Sequence, residues 1–384
     1  GEYWNYNTIT INSSYVNDSV LINFGEIINN NNLTNNNSLE NRFNAKIDNY
    51  KEFVNNQLFK NMGTVNNFTS NSSNGIIINK GTIENKKDGT DLGLINSYGS
   101  IINDYTFTNE SILKNFKTGS ITNNNSFTNN EKIFNYGTVT NNKTFTTDNE
   151  VHNYNLVTNN NTLTISGLYK NYKTNESNTE SIDLTGIKGR LINNHNTSFT
   201  GGNLYNCGLV DNDSLLTINA DMLNDSYGII ENSLQLTITG TASLINKNQL
   251  TNTGTILNNN LLRNDYGSLN GTLTSTGTIT NNGNLENKYN MTSKILQNNN
   301  IFKNYYNGSL STSDTFTNDS TVINYGDINN TGLFTTNSEL KNYRNFTIST
   351  VGSLVNTKDV TNYETGVNNT DTTNDGITLT GVEP

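Results

Sequence analysis

Apolar residues recur every six positions through much of the chain. A period of six fits neither the 3.6-residue repeat of an α-helix nor the two-residue alternation of a simple strand. It predicts a repeat architecture in which each six-residue segment, or hexad, occupies an equivalent place. Runs of this spacing begin at Leu21 and Leu310, and the clearest run comprises Ile121, Phe127, Ile133, Val139, Phe145, Val151, Val157 and Leu163.

Asparagine stands two positions after the apolar residue of most hexads. Alternate residues of a strand point to the same side, so the apolar residue and this asparagine are both predicted to face the interior, and the other residues to turn a corner. Stacked interior amides can hydrogen-bond to one another, as in the asparagine ladders of cross-β assemblies. In the clearest run the predicted structural ladder consists of Asn123, Asn129, Asn135, Asn141, Asn153 and Asn159, interrupted by Thr147 and Ile165.

Glycines mark a slower period of 18 to 20 residues, at Gly63, Gly81, Gly99, Gly119 and Gly137. Three hexads therefore make one coil. We predict an all-β fold, a single-chain β-solenoid (β-helix) with about 18–20 residues per coil and roughly 20 coils, whose handedness stays open. Left-handed backbone conformations are expected at its corners, because Gly and Asn adopt them at the least cost.

A helix is the alternative for residues 38–62, where the apolar residues from Leu39 to Leu58 are also spaced by about 3.6. Strands are favoured because the hexad phase continues through Ile47, Phe53 and Phe59. Asparagine, which is frequent here, is also a poor helix former.

The composition favours a thin repeated interior over one thick core. The chain has 84 Asn, only 32% hydrophobic residues and a single proline, Pro384, at its end, so no proline interrupts a strand ladder. We predict one elongated domain over residues 1–384, with a loop or insertion within 167–202, where the hexads are least regular. The single cysteine, Cys207, has no partner for an internal disulfide and is predicted to be a small buried residue.

The net charge of −10 argues against a nucleic-acid partner, because phosphate binding needs clustered Lys and Arg. No segment approaches the roughly 18 apolar residues of a membrane helix, so no transmembrane segment is expected. Because the sequence starts at Gly1 rather than Met, we expect a soluble product that has been processed or truncated.

The hexads resemble those of the hexapeptide-repeat left-handed β-helix, in which three hexads form a triangular coil. That family places a small residue four positions after the aliphatic one, whereas here Asn stands at two, and its acyltransferase activity does not carry over because its catalytic histidine context is not visible. The Asn-rich texture of segments such as 277–283 is similar to that of repeat-rich surface and adhesin-like proteins of bacteria and archaea. This resemblance implies an Asn-rich β-solenoid at a cell surface.

No catalytic residue, cofactor or metal site is predicted, and the chain is not expected to be an enzyme. His152 and His195 lie 43 residues apart, and His152 is predicted to have a surface role. Two acidic pairs occur, Asp148 with Glu150 and Asp211 with Asp213. They could line a carbohydrate cleft as in a glycoside hydrolase, but solvated corner charges that oppose lateral aggregation are favoured.

Three Asn-x-Ser/Thr sequons stand 18 residues apart, one position after an interior asparagine. They are the candidate glycosylation sites Asn124, Asn142 and Asn160, and they should form a column on one outer corner. Sequons in the interior phase should stay unmodified; these are Asn67, Asn109, Asn212, Asn224 and Asn318.

Two outward patterns suggest binding. Thr-x-Thr segments, such as Thr144-Phe145-Thr146, resemble the Thr arrays of ice-binding β-solenoids, although Thr also favours any exposed strand. Corner tyrosines could stack on sugar rings, or they could simply cover the asparagine ladder; they are Tyr136, Tyr154, Tyr325 and Tyr343.

The function expected from these features is mechanical. We expect an extracellular structural protein that forms or decorates a cell-surface assembly, such as a sheath, surface layer, filament or adhesin stalk, by self-association of solenoid edges. Both ends read as strands, at Thr8–Ile11 and at 377–380. The alternative is a carbohydrate-binding adhesin or fibre whose partners are surface glycans, and ice binding is a third possibility.

Overall fold

The computed structural model describes residues 1–70, 73–88, 91–172, 189–267, 271–348, 353–356 and 360–362. The fold is all-β, a parallel-stranded β-solenoid, as the hexads predict. The chain divides into two compact units, Gly1–Gly202 (unit 1) and Asn203–Pro384 (unit 2). Within the described ranges, no helix is long and apolar enough to cross a membrane.

Unit 1 has three faces, A, B and C, and consecutive turns pair in parallel on each face. Face A contains Glu2–Asn5, Val20–Asn23, Ser38–Asn41, Leu58–Asn61, Thr82–Asn85, Thr106–Asn109, Ser126–Asn129, Thr144–Thr147, Thr162–Ile165 and Thr197–Phe199. Face B contains Thr8–Ile11, Glu26–Asn29, Lys46–Asn49, Thr64–Asn67, Leu94–Ser97, Ile112–Asn115, Lys132–Asn135, Glu150–Asn153 and Tyr169–Asn171. Face C contains Tyr15–Asn17, Asn32–Asn35, Glu52–Asn55, Ile76–Asn79, Ser100–Asn103, Ser120–Asn123, Thr138–Asn141, Leu156–Asn159 and Arg190–Asn193. Two antiparallel hairpins occur at corners, Thr69–Ser70 with Ser73–Asn74 and Lys87–Asp88 with Asp91–Leu92.

Unit 2 has the same three-sided build, with faces D, E and F. Face D contains Asn203–Asn206, Asp221–Asn224, Ser243–Asn246, Leu261–Asn264, Asn284–Asn287, Ile301–Asn304, Thr321–Asn324, Leu340–Asn342 and Val360–Asn362. Face E contains Leu209–Asn212, Ile229–Asn232, Gln249–Asn252, Asp327–Asn330 and Phe346–Ile348. Face F contains Leu215–Ile218, Gln235–Ile238, Thr255–Asn258, Leu333–Thr336 and Ser353–Asn356. Three longer strands begin on face E and end on face F, namely Thr272–Asn281, Asn290–Asn298 and Ser309–Asn318.

Burial along a typical strand alternates as the hexads predict. In Lys132–Asn135, Ile133 and Asn135 are buried, while Lys132 and Phe134 are half-buried on the outer side. This alternation recurs in most strands of both units, and most strands therefore supply one apolar side chain and one amide to the interior. Burying one such apolar side chain stabilises the fold by roughly 1.5–3 kcal/mol, and the thin core gains its stability by repetition.

The interior amides both close the corners and connect the turns. Asn23 illustrates the pattern, because its Nδ2 donates to Oδ1 of Asn41 in the next turn at 2.8 Å and to the backbone oxygen of Lys46 at 3.1 Å. Its Oδ1 accepts from Nδ2 of Asn5 at 2.7 Å and from the corner N–H of Gly25 at 3.3 Å. An amide-to-amide bond between turns is called a rung below. These bonds satisfy an amide whose burial would otherwise cost roughly 1–3 kcal/mol.

The face B ladder is interrupted in two places, and each interruption leaves an acceptor unpaired. Ile11 and Ser97 occupy the asparagine position, and in the following turns Oδ1 of Asn29 and Oδ1 of Asn115 have no hydrogen-bond partner. The Ser97 hydroxyl donates instead to the backbone oxygen of Gly99 at 3.0 Å. Each interior amide oxygen therefore depends on the amide of the preceding turn for its hydrogen-bond donor.

Some sequence expectations need correction. Over the described residues the turns are somewhat fewer than the predicted 20, with nine strands each on faces B and D, because hairpins and longer corners take residues beyond three hexads. Left-handed corners were expected to be general, but in the described residues positive φ occurs only at Asn44, Gly202 and Gly240. Corner glycines serve close approach instead, since a Cβ on Gly137 would collide with the backbone oxygen of Gly119 in the preceding turn. Residues 38–62 form strands, which confirms the rejection of a helix.

Two further predictions concern unit boundaries and corners. Most of the loop expected within 167–202 falls on residues 173–188, which lie outside the described residues. On either side of them, the N–H of Gly189 donates to the backbone oxygen of Tyr172 at 2.8 Å. Cys207 is half-buried at a corner rather than buried in the interior, because it stands one position after the interior Asn206.

Candidate interaction surfaces

The six predicted ladder residues are buried, and they are divided among three ladders because consecutive hexads lie on consecutive faces. On face C, Asn123 donates to Asn141 and Asn141 to Asn159, both at 2.8 Å. On face B, Asn135 donates to Asn153 at 2.8 Å, and on face A, Asn129 donates to the Thr147 hydroxyl at 2.9 Å. These side chains are structural and are not available to a ligand.

A second column of amides lies outside unit 1, at the corner between faces C and A. We call it the amide corner, and it consists of Asp104, Asn124, Asn142, Asn160 and Asn194. Each Nδ2 donates to the side-chain oxygen of the preceding turn, at 2.8–2.9 Å. This direction is opposite to that of the interior rungs.

The three candidate glycosylation sites belong to this amide corner. Asn124 and Asn160 are exposed and Asn142 is half-buried. The five interior sequons are buried instead, with no exposed surface; they are Asn67, Asn109, Asn212, Asn224 and Asn318. The structure thus separates accessible from inaccessible sequons, while modification itself stays a prediction.

An uninterrupted column of stacked rings covers the corner between faces B and C. We call it the aromatic corner, and it consists of Tyr50, Phe68, Tyr98, Phe116, Tyr136, Tyr154 and Tyr172. Neighbouring ring centroids are 4.1–6.2 Å apart, and the planes are within 22° of parallel. Tyr136 is only 1% exposed. Rings on both sides cover the faces of Tyr136 and Tyr154, so neither ring offers a face to a sugar in this arrangement.

Face A carries the most regular hydroxyl array. Its outward pairs lie in register over four consecutive turns, as Thr106 and Thr108, Ser126 and Thr128, Thr144 and Thr146, and Thr162 and Thr164. In the preceding turn Glu84 takes the place equivalent to Thr108. The array is therefore two columns wide and four turns long.

His152 lies on the outer side of face B and is mostly covered, with 13% of its side chain exposed. Its Nδ1 is 2.7 Å from the Tyr172 hydroxyl and its Nε2 is 3.0 Å from Glu150 Oε2. Lys132 Nζ lies 3.2 Å from the same Glu150 oxygen. His152 therefore belongs to a four-residue polar cluster, whereas His195 is exposed.

The structure places the members of the two acidic pairs in different surroundings. Glu150 contacts His152 and Lys132, while Asp148 is exposed at the preceding corner. Asp211 is half-buried and Asp213 exposed. Among the described residues, no three His, Cys, Asp or Glu side chains are grouped closely enough to hold a metal ion.

An open cleft of about 370 Å³ lies on face D of unit 2. Tyr205, which is 36% exposed, contributes an aromatic ring, and Leu223 and Ile245 contribute aliphatic surface. Asp221 and Lys247 add charge, and Asp221 Oδ1 accepts from the Ser243 hydroxyl at 2.7 Å. An aromatic ring beside hydrogen-bonding side chains is a combination that suits a saccharide.

Sequence reasoning overlooked both the cleft and the partnership of His152 with Tyr172. The sequence did contain a signal for the contact between His152 and Tyr172. The two residues are 20 positions apart, which is about one turn, and each directly follows an interior position of its hexad. The cleft could not be found in this way, since its depth depends on the lengths of neighbouring side chains. Comparisons with protein-family models, curated protein sequences and solved structures gave no match.

Proposed function

We propose that this protein is an extracellular structural protein that forms or decorates a cell-surface assembly, such as a sheath, surface layer, filament or adhesin stalk, through self-association of its solenoid. The observation that carries the proposal is the common direction of the interior rungs. On face C, for example, Asn17 donates to Asn35 and Asn35 to Asn55, both at 2.8 Å, always from the earlier turn to the later one.

This direction gives each ladder an acceptor end and a donor end. Two copies can extend a ladder only by joining the donor end of one to the acceptor end of the other. Such a head-to-tail contact is heterologous, and repeated contacts of this kind generate open linear assemblies unless a rotation closes them into a ring. The architecture therefore favours filament formation over a closed dimer.

The first turn supports this mode of association. Tyr3 and Tyr15 stand in the interior phase but are 62% and 36% exposed, whereas their partners in the second turn, Leu21 and Leu33, are 2% and 0% exposed. Exposed apolar surface at this edge of the described strands favours pairing with a further polypeptide segment. A further aromatic patch on this edge consists of Trp4, Tyr6 and Phe24, which are 53%, 62% and 38% exposed.

Electron microscopy of the native material tests the proposal. Ordered filaments, tubes or sheets are the expected result, and isolated rods at high concentration would contradict self-association. The variant Tyr15→Lys places a charge in the interior phase of the edge and should abolish assembly. Val16→Lys is the matched control, because Val16 lies on the same strand, is 49% exposed and points outward.

A carbohydrate-binding adhesin is the second candidate, and the face D cleft at Tyr205 favours it. A glycan array should then show selective binding by the wild-type protein, and Tyr205→Ala should weaken the affinity for the bound glycan at least tenfold. Tyr227→Ala is the control, because Tyr227 is 50% exposed and lies outside the residues that line the cleft. Equal loss in both variants, or no binding by the wild type, would count against this candidate.

Ice binding is a third candidate, which the registered hydroxyl array of face A favours. Thr144→Lys with Thr146→Lys would disrupt the centre of the array. Thermal hysteresis that disappears in this double variant would support ice binding, and its absence from the wild type would dismiss it.

Extracellular localisation has its own test in the sequons. Mass spectrometry of protein from its natural source should find glycan at one or more of Asn124, Asn142 and Asn160. Modification mainly at interior sequons would contradict the burial pattern, because those amides have no exposed surface.

A further inference from the structure

Glu150, His152 and Tyr172 form a continuous hydrogen-bonded chain on face B of unit 1. Glu150 and His152 lie on the strand Glu150–Asn153, and Tyr172 follows the strand of the next turn, Tyr169–Asn171. The His152 imidazole is 2.7 Å from the Tyr172 hydroxyl through Nδ1 and 3.0 Å from the Glu150 carboxylate through Nε2. Phe134 packs on the imidazole with ring centroids 4.9 Å apart and holds its orientation.

The donors and acceptors in this chain can be assigned by elimination. An ionised carboxylate only accepts, so Nε2 of His152 carries a proton and donates it to Glu150. In the neutral imidazole Nδ1 then has a free lone pair, which accepts the hydrogen bond of the Tyr172 hydroxyl. Tyr172 therefore has a base aligned with its O–H bond, and the base is oriented by a third group.

The electrostatic surroundings keep this arrangement in its reactive form near neutral pH. Burial is the largest influence on His152 and lowers its pKa below the usual 6.5, with Lys170 and Lys132 acting in the same direction and Glu150 opposing them. The hydrogen bond from His152 lowers the pKa of Glu150, to which Lys132 also contributes. At pH 7 the imidazole is therefore neutral and the carboxylate ionised.

We propose that Tyr172 is an activated phenol nucleophile and a site of covalent modification by activated acyl donors, such as esters or thioesters. The Tyr172 oxygen attacks the acyl carbon while its proton passes to Nδ1 of His152. The bond to the leaving group then breaks, and the alcohol or thiol departs with the electron pair and takes up the proton from the imidazolium. Glu150 stabilises the transient imidazolium, as the carboxylate does in a Ser-His-Asp triad. This inference is independent of the structural function proposed above.

The test uses the full chain and p-nitrophenyl acetate as the acyl donor. After short reaction times and quenching in acid, mass spectrometry measures the acetylation rate at each tyrosine. Tyr105 is the internal reference, because it is 52% exposed and lies at a different corner. At pH 7.5 Tyr172 should be acetylated at least ten times faster than Tyr105, since general-base assistance contributes roughly 10²–10⁴-fold.

Variants separate activation from simple exposure. His152→Gln should lower the Tyr172 rate to that of Tyr105, and Glu150→Gln should lower it part of the way. Lys143→Gln is the control, because Lys143 is exposed at the corner between faces C and A, outside the cluster around His152, and its replacement should change the rate less than twofold.

The pH profile supplies a readout that needs no variant. The Tyr172 rate should reach half its plateau below pH 6.5, where His152 loses its proton, whereas the Tyr105 rate should not level off with the deprotonation of His152. A wild-type Tyr172 that reacts no faster than Tyr105 at pH 7.5, or that follows the Tyr105 profile, would overturn the proposal.

Discussion

The aromatic corner of unit 1 and one corner of unit 2 occupy the same position in the repeat but carry different kinds of side chain. Both stand one position after an interior asparagine, on faces B and D respectively. In unit 1 the corner is a column of stacked rings. In unit 2 the position carries a cysteine, then charged residues and then tyrosines, in the order Cys207, Asp225, Lys247, Asp265, Lys288, Tyr305, Tyr325 and Tyr343. Lys288 Nζ lies 3.3 Å from Asp265 and 5.7 Å from the Tyr305 ring centroid.

The difference shows that the interior rung defines the turn and leaves the neighbouring outer residue free to vary. The rungs behind both corners are alike, for example 2.8 Å for Asn135 to Asn153 and 3.0 Å for Asn246 to Asn264. The outer residue then decides how the surface responds to solvent. Stacked rings bury area whatever the ionic strength, whereas partly exposed charge pairs are weak and screened by salt.

The largest expected effect is removal of a ring from the aromatic corner. Tyr136→Ala should lower the local free energy of unfolding by about 3–5 kcal/mol, because Tyr136 is buried between two rings. Tyr325→Ala in unit 2 is the comparison, and it should cost much less because Tyr325 is 41% exposed. Native-state hydrogen exchange measures both, and equal losses would show that the two corners do not differ in this way.

Interior rungs should be equivalent in the two units. Asn153→Ala and Asn264→Ala each remove one amide between two others, and each should cost roughly 1–3 kcal/mol for every polar group left unpaired. The same hydrogen-exchange experiment, read at the strands of the neighbouring turns, compares them. A loss of stability in only one of the two units would contradict the conclusion that both units have the same kind of interior.

A rung can also be added. Ser97→Asn would place an amide between Asn67 and Asn115 and give the unpaired Oδ1 of Asn115 a donor. We expect a gain of about 1 kcal/mol in local stability. Thr122→Asn is the control, since it adds an asparagine to the outer side of a strand and should change stability by less than about 0.5 kcal/mol. A gain from the control and none from Ser97→Asn would contradict the ladder account.

The smallest expected effect concerns the charged corner of unit 2. Lys288→Met removes the contacts with Asp265 and with the Tyr305 ring and should cost less than about 1 kcal/mol. That cost should vanish in 1 M NaCl, where the screening length is about 3 Å. Thermal denaturation followed by circular dichroism at low and high salt, with Tyr136→Ala in parallel, checks this. A salt-dependent effect of Tyr136→Ala would remove the distinction between the corners.

The sequence by itself determined the repeat, the strands and the identity of the interior. The hexad phase identified Ile133 and Asn135 as interior, because residues two positions apart in a strand face the same side. It also rejected a helix at 38–62, because the six-residue period continues through that segment and leaves few other ways to bury the same side chains. The sequence also placed Asn124, Asn142 and Asn160 in one column. These predictions depend only on the spacing of residues along the chain, which can be read directly from the sequence.

The tertiary structure decided everything that depends on which turn lies beside which. The number of turns and the pairing of His152 with Tyr172 both follow from corner lengths, which vary from turn to turn. The same holds for Tyr136, whose corner position predicted an accessible ring but whose neighbours one turn away cover both of its faces. Contacts between turns join residues 17 to 38 positions apart, and where the corner length changes, the hexad spacing alone does not predict which residues meet.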